Sequence, residues 1–180
     1  MENDSFVIAK ELSSLHGKDY ISSSDLNFQQ ASSLLLLASK LKKNNRRIDL
    51  GNRTLGLIFK KASTRTRVSF QVAMARLGGQ VVELNVETSQ IKRGEPLKDT
   101  ARVLSRYCDA IAIRTYEHQE IVDYANWASV PVINALTDLE HPCQSLADFL
   151  TLKEEFGSLK GLTLAYIGDG NNVAHSLMIC

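Results

Sequence analysis

Four short apolar stretches, each followed by a helical pattern, constrain this chain before any one residue is considered. Thr54–Phe59 reads as a buried strand, bounded by Gly51-Asn52 and Lys60-Lys61. Val68, Val72 and Ala75 then recur at helical spacing, as do Phe70, Met74 and Leu77, until Gly78-Gly79 supplies a stop. Gln80–Leu84 is a second strand, and a loop rich in Ser, Gln, Lys and Gly runs on to Pro96. A helix is predicted over 97–107, with Ala101 and Leu104 on its inner face, and a third strand over 109–114. His118–Trp127 is helical, 130–134 a fourth strand, and Pro142–Phe156 a helix ended by Gly157. Strands alternating with helices imply βαβ units, hence an α/β fold with a parallel sheet flanked by helices. Ligands of such sheets sit beyond the carboxyl ends of the strands.

That edge is where the polar chemistry of the sequence falls. The run Ser63-Thr64-Arg65-Thr66-Arg67 leaves the first strand and enters a helix. Ser63 is a plausible N-cap, and the amides after it are the unpaired donors of a helix N-terminus. Such an end carries partial positive charge and favours anions, phosphate above all. Hydroxyls on Ser63, Thr64 and Thr66 add donors, and Arg65 adds a planar fork matched to two phosphate oxygens. The same run also suits a plain helix start with solvated arginines, and in isolation it does not separate the two. It is not the common P-loop, since no Gly-Lys-Ser/Thr follows a glycine-rich turn. By topology, Arg114 at the end of the third strand and the segment after Asn134 converge on the same edge.

Bulk properties exclude several classes. A net charge of +1 over 180 residues gives no general pull toward nucleic acid or anionic membrane, so an anion site must be local. The basic run Lys40, Lys42, Lys43, Arg46, Arg47 closes an amphipathic helix predicted over 27–43 and reads as a solvated helix end. The most apolar stretch, Leu34-Leu35-Leu36-Leu37-Ala38, is far too short to cross a membrane. Cys108, Cys143 and Cys180 have neither metal-ligand nor paired spacing, which fits a reducing, cytoplasmic compartment.

The stretch from Gly161 to Asn172 reads as a fresh strand and a Gly-Asp-Gly-Asn-Asn turn entering a helix that runs to Cys180. Val173 stands where a dinucleotide fingerprint needs glycine. One strand and half a helix cannot bury their own apolar faces. Either they dock on the first domain or the chain breaks off inside a second, and the expectation is truncation: a first domain over 1–157, and the first strand and helix of a second α/β domain over 158–180.

His141-Pro142-Cys143-Gln144 forms another constellation, with Pro142 suited to the first turn of a helix. On its own a lone histidine such as His141 is more often a structural hydrogen-bonder than a catalyst. Cys143 has no evident base partner and reads as a pocket-wall cysteine.

Together these segments closely resemble the aspartate/ornithine carbamoyltransferase family from about Leu26 onward. The resemblance rests on Phe59-Lys60-Lys61-Ala62-Ser63-Thr64-Arg65-Thr66-Arg67, on Ser89-Gln90 with Arg93-Gly94-Glu95-Pro96, and on Asp99-Thr100-Ala101-Arg102-Val103. Ile113-Arg114 and His141-Pro142-Cys143-Gln144 complete the set. Asn134-Ala135-Leu136-Thr137-Asp138 and Gly168-Asp169-Gly170-Asn171-Asn172 are similar to the ornithine branch. The resemblance implies two α/β domains, the first for carbamoyl phosphate and the second for the amino acid. It implies that Ser63, Thr64, Arg65 and Thr66 hold the phosphate, and that Arg114 bridges phosphate and carbonyl oxygens. His141 would donate to the carbonyl, Gln144 accept from the carbamoyl NH₂, and Pro142 and Cys143 belong to the same binding segment. Arg65, Arg114 and His141 form the implied catalytic set. Gln90 would serve a neighbouring subunit of a homotrimer, and Asn172 would contact L-ornithine. Neither metal nor organic cofactor is expected. Lys92 departs from the small or apolar residue common in that interface loop, and the family's other ornithine-binding segments would lie beyond position 180. The implied activity is carbamoyl transfer to ornithine in arginine synthesis. Transfer to aspartate, putrescine or acetylated ornithine remains an alternative, as does a non-catalytic phosphate-binding module.

Overall fold

A computed structural model describes residues 10–44 and 49–180; Arg46 and Arg47 of the basic run lie outside the described residues. Helix α1 (Phe28–Asn44) is followed by β1 (Thr54–Phe59), α2 (Arg65–Arg76) and β2 (Gln80–Leu84). Two short 3₁₀ turns lead to α3 (Leu97–Leu104), β3 (Ala110–Arg114), α4 (His118–Trp127), β4 (Val132–Leu136), α5 (Pro142–Phe156) and α6 (Asn172–Ile179). The four strands form one sheet in the order β2-β1-β3-β4, every pair parallel. The chain leaves β1 toward β2 on one side, returns to place β3 on the other, and continues outward to β4. Connections therefore diverge between β1 and β3, and a crevice opens beyond the carboxyl ends of those two strands.

Both faces of the sheet are covered, which is why β1 and β3 read as nearly continuous apolar runs. Side-chain alternation along β1 sends Leu55, Leu57 and Phe59 to one face, where Phe70 and Met74 of α2 pack on them. Ile58, Ile111 and Ile113 face the other side, against Ala101 of α3 and Ile121 and Tyr124 of α4. Gly56 permits a close approach here, since a Cβ would lie 3.1 Å from Cys108 Sγ. Gly78, at φ 78°, provides the left-handed turn that ends α2.

Three departures from the sequence expectation exceed a single residue. The fourth strand starts at Val132 rather than 130 because Pro131 has no N–H for the ladder; Asp19 Oδ1 takes the Val132 N–H at 2.7 Å. Helix α3 stops at Leu104, and the next residues tighten into i→i−3 bonds, Arg106 N–H on Val103 C=O and Tyr107 N–H on Leu104 C=O, both at 3.0 Å. The third correction concerns the predicted strand at 161–167. These residues form no strand, because no described segment pairs with their backbone, and Leu162, Leu164, Tyr166 and Ile167 are exposed. A strand exists only through its ladder. The helix that follows does form and docks on the sheet domain, against α5 and the turn Ser23–Asp25. Asn171 Oδ1 caps it, accepting from the amides of Val173 and Ala174 at 3.0 Å each.

Candidate active site

Beyond the β1 and β3 ends lies an open cleft of about 1020 Å³, and its walls bring together the segments singled out above. Ser63, Thr64, Arg65 and Thr66 line it from the start of α2, Arg114 from the end of β3, and His141, Cys143 and Gln144 from the start of α5. Helix α2 begins one residue later than expected, with Thr64 rather than Ser63 at the N-cap and no side chain bonded to the cap amides. Val68 N–H is the first to close on the helix, on Thr64 C=O at 3.0 Å. The amides before it are left to a ligand or solvent, with the positive end of the helix dipole behind them.

The positive charge in this region is sorted by its partners. Lys60 pairs with Glu120, and Lys61 pairs with Asp138 and stands 4.8 Å above the Tyr116 ring. Arg67 turns away from the cleft: its Nε lies 2.9 Å from Glu83 Oε1, and its guanidinium stacks 5.4 Å from the Phe59 ring centre. The Arg67–Glu83 contact is an ion pair without hydrogen-bond alignment, since the N–H is not aimed at the carboxylate. Arg65 and Arg114 have no carboxylate partner among the described residues. The two guanidiniums on the cleft wall are thus the ones left for an outside anion.

Arg114 is aimed by a bulge. Ile113 pairs with Asn134 and Arg114 with Leu136, so β4 carries one extra residue at this point. Arg114 Nε is buried with no hydrogen-bond partner among the described residues, and burial lowers the guanidinium's pKa from its ordinary value. His141 is buried too, and its Nδ1 is likewise without a partner. Burial first, and the Arg114 charge second, push its pKa down to about 4. At neutral pH it is an uncharged imidazole, able to donate one N–H without adding a cation. Buried polar atoms without partners in a cleft mark where a ligand or water completes the bonding.

The main chain around His141 is held from several directions. Its N–H donates to Ser176 Oγ of α6 at 2.8 Å, and that hydroxyl donates to Glu140 Oε2 at 3.4 Å. Glu140 also accepts from Ser22 Oγ (2.7 Å) and Ser23 N–H (2.8 Å). Burial alone would raise the Glu140 pKa, but these bonds and the neighbouring His118 charge hold it below its ordinary value. Cys143 Sγ donates to Asn134 C=O at 3.4 Å, and burial pushes its thiol up to about 12, so it is a wall and not a nucleophile.

Residues 18–154 match the family model described as aspartate/ornithine carbamoyltransferase, carbamoyl-P binding domain. This chain belongs to that family. An ornithine carbamoyltransferase of Parasynechococcus marenigrum (strain WH8102) is 71% identical over 96% of this chain and 54% of its own length. The crystal structure of ornithine carbamoyltransferase from Gloeobacter violaceus, 57% identical, superposes with a TM-score of 0.81 over 89% of this chain and 53% of its own. An aspartate transcarbamoylase from Trypanosoma cruzi, solved in complex with aspartate and phosphate, is 36% identical, with a TM-score of 0.83 over 90% of this chain and 53% of its own. The chain spans about half the length of the curated relatives it matches.

Not every residue named from the carbamoyltransferase resemblance reaches the cleft. Gln90 sits exposed on a 3₁₀ turn (Gln90–Arg93) outside it. Pro142 is buried at the first turn of α5, and Asn172 donates through Nδ2 to Thr137 C=O at 2.6 Å; neither lines the cleft. Two chemically important residues were missed. Glu140 carried no signal beyond preceding His141. Asp148, which lines the cleft, lies four positions after Gln144, a spacing that places both on one helix face. Among the described residues no group of three His, Cys, Asp or Glu side chains is placed to hold a metal ion.

Proposed function

We propose that this chain is the carbamoyl-phosphate half of an ornithine carbamoyltransferase, which transfers the carbamoyl group to the δ-amine of L-ornithine and releases citrulline and phosphate. The observation that carries this reading is a pair of guanidiniums without a carboxylate partner among the described residues, Arg65 and Arg114, sharing a cleft with a helix N-terminus and a neutral buried imidazole. The first three suit a phosphate dianion. The imidazole suits a carbonyl oxygen.

The chemistry uses each in turn. The unprotonated δ-amine attacks the carbamoyl carbon, and charge collects on the former carbonyl oxygen in the tetrahedral intermediate. Donors at that oxygen, His141 and Arg114 with the Thr66 hydroxyl, stabilise it, each worth about 10²–10³ in rate. The C–O bond to phosphate then breaks, the electron pair leaves on phosphate within the cradle of residues 63–66, and the amine proton passes to the departing phosphate, which is released as the hydrogen phosphate dianion. Alignment of two small substrates supplies much of the remaining acceleration.

Ornithine as acceptor draws support from the sequences: the ornithine enzyme of Gloeobacter is 57% identical, the aspartate enzyme of Trypanosoma 36%. Asn172, engaged through Nδ2 on Thr137 and outside the cleft lining, is assigned to ornithine by the family resemblance alone. Gln90 would serve a neighbouring copy in a homotrimer, a reading supported by its exposure away from this cleft. The same assignment points to arginine synthesis, and the free cysteines Cys108, Cys143 and Cys180 support a cytoplasmic setting. The test is citrulline formation by the intact protein, with aspartate, putrescine and acetylated ornithine as competing acceptors. Arg65→Ala should weaken carbamoyl phosphate binding by about 10- to 100-fold, the worth of a charge-assisted bond. Turnover with another amine and none with ornithine refutes the acceptor assignment.

A further inference from the structure

Among the described residues lining the cleft one bears a carboxylate, Asp148, where a dianion is expected to bind, and its geometry gives it a purpose. Gln144 Nε2 donates to Asp148 Oδ1 at 2.9 Å, one helical turn along α5, and both residues line the cleft. A glutamine amide is ambiguous: one end donates, the other accepts, and a half turn exchanges them. A carboxylate only accepts. Beside Asp148 the amide therefore has one favourable orientation, with Nε2 engaged and Oε1 left as an acceptor that has no partner among the described residues.

We propose that Asp148 is a positioning residue that fixes the Gln144 amide with its carbonyl toward the bound acyl group, and so makes the site select carbamoyl over acetyl phosphate. The inference rests on the carbamoyl phosphate reading above. The two acyl phosphates share a phosphate, which the cradle and Arg114 hold, and a carbonyl, which His141 meets. They differ where one carries NH₂ and the other CH₃. An acceptor at that point rewards the amino group; a flipped amide would set donor against donor. Discrimination by a positioned hydrogen-bonding group exceeds what shape alone achieves between groups of similar size.

Asp148 is negatively charged and sits in a site for a dianion, so removing it shifts affinity for every phosphate ligand. The ratio of affinities cancels that shift. Isothermal titration of the intact protein with carbamoyl phosphate, acetyl phosphate and inorganic phosphate measures it. Asp148→Asn, which can both donate to and accept from the amide, should lower the carbamoyl-to-acetyl ratio about three- to tenfold, while acetyl and inorganic phosphate move together. Asp148→Glu, which keeps an acceptor, should retain more of the ratio. Gln144→Met should lower the ratio at least as far, and in that background Asp148→Asn should change it no further. A ratio unmoved by Asp148→Asn, or lowered equally with Gln144 already replaced, overturns the inference. If Asp148→Asn does not fold, an unchanged ratio in Gln144→Met overturns it equally, and a fall there together with retention in Asp148→Glu supports it. Wild-type protein that binds carbamoyl phosphate no better than inorganic phosphate removes the underlying functional reading as well, which separates the two failures.

Discussion

Replacing His141 with asparagine tests whether the fold holds this imidazole neutral. Burial, with the Arg114 charge, pushes its pKa down to about 4, whereas an unfolded chain gives a histidine about 6.5. Between those values the unfolded chain takes up a proton that the folded one refuses, so folding weakens as pH falls. The contribution is complete above about pH 6.5 and lost progressively down to about pH 4. At ~1.4 kcal/mol for each pH unit, the loss is about 2 kcal/mol at pH 5 and about 3 kcal/mol at pH 4. Glu140 acts in a different window. Its carboxyl is held below the ordinary value, so its contribution is present above that value and disappears only as pH falls through the lower one. Urea unfolding from about pH 7.5 to about pH 4 should therefore show His141→Asn losing about 2–3 kcal/mol less than wild type, with most of the divergence above about pH 4.5. Two parallel pH profiles would refute the reasoning, because the imidazole would then titrate alike in both states, and the proposed role as an uncharged donor would fall with it.

Three other perturbations have defined outcomes. Glu140→Gln replaces an acceptor-only group with one whose NH₂ opposes the Ser22 and Ser23 donors; urea unfolding near neutral pH should register a loss of about 1–3 kcal/mol. Cys143, with its thiol pushed up to about 12, should resist iodoacetamide in the native protein at about pH 8 and react once unfolded, and Cys143→Ser should keep carbamoyl transfer within a few-fold. Gly56→Ala, whose Cβ would meet Cys108 Sγ at 3.1 Å, should cost about 1–3 kcal/mol by thermal unfolding, and Cys108→Ala in the same chain should recover much of it.

The features legible from the sequence were those written in short-range pattern. Alternating strands and helices dictated a parallel sheet, and the rule that ligands gather at carboxyl strand ends brought residues 63–66, Arg114 and His141 to one cleft. Long-range partners were not legible. Nothing local tells Arg67, bound to Glu83, from Arg65, which has no such partner, though both share one short run. Pro131 displaced a strand through a missing N–H, and the stretch 161–167 has strand composition but no strand beside it. Glu140 acquires its meaning only from Ser22, Ser23 and Ser176, which lie far away in the chain. Asp148 could have been found, since its i+4 relation to Gln144 is visible in the sequence once Gln144 is regarded as a ligand-reading amide.

Ser176 gives the last helix leverage over the cleft wall. One hydroxyl fastens both the peptide nitrogen of His141 and the carboxylate beside it. Sliding α6 by little more than an ångström would strand two enclosed groups together, so the placement of His141 and the seating of that helix rise or fall as one.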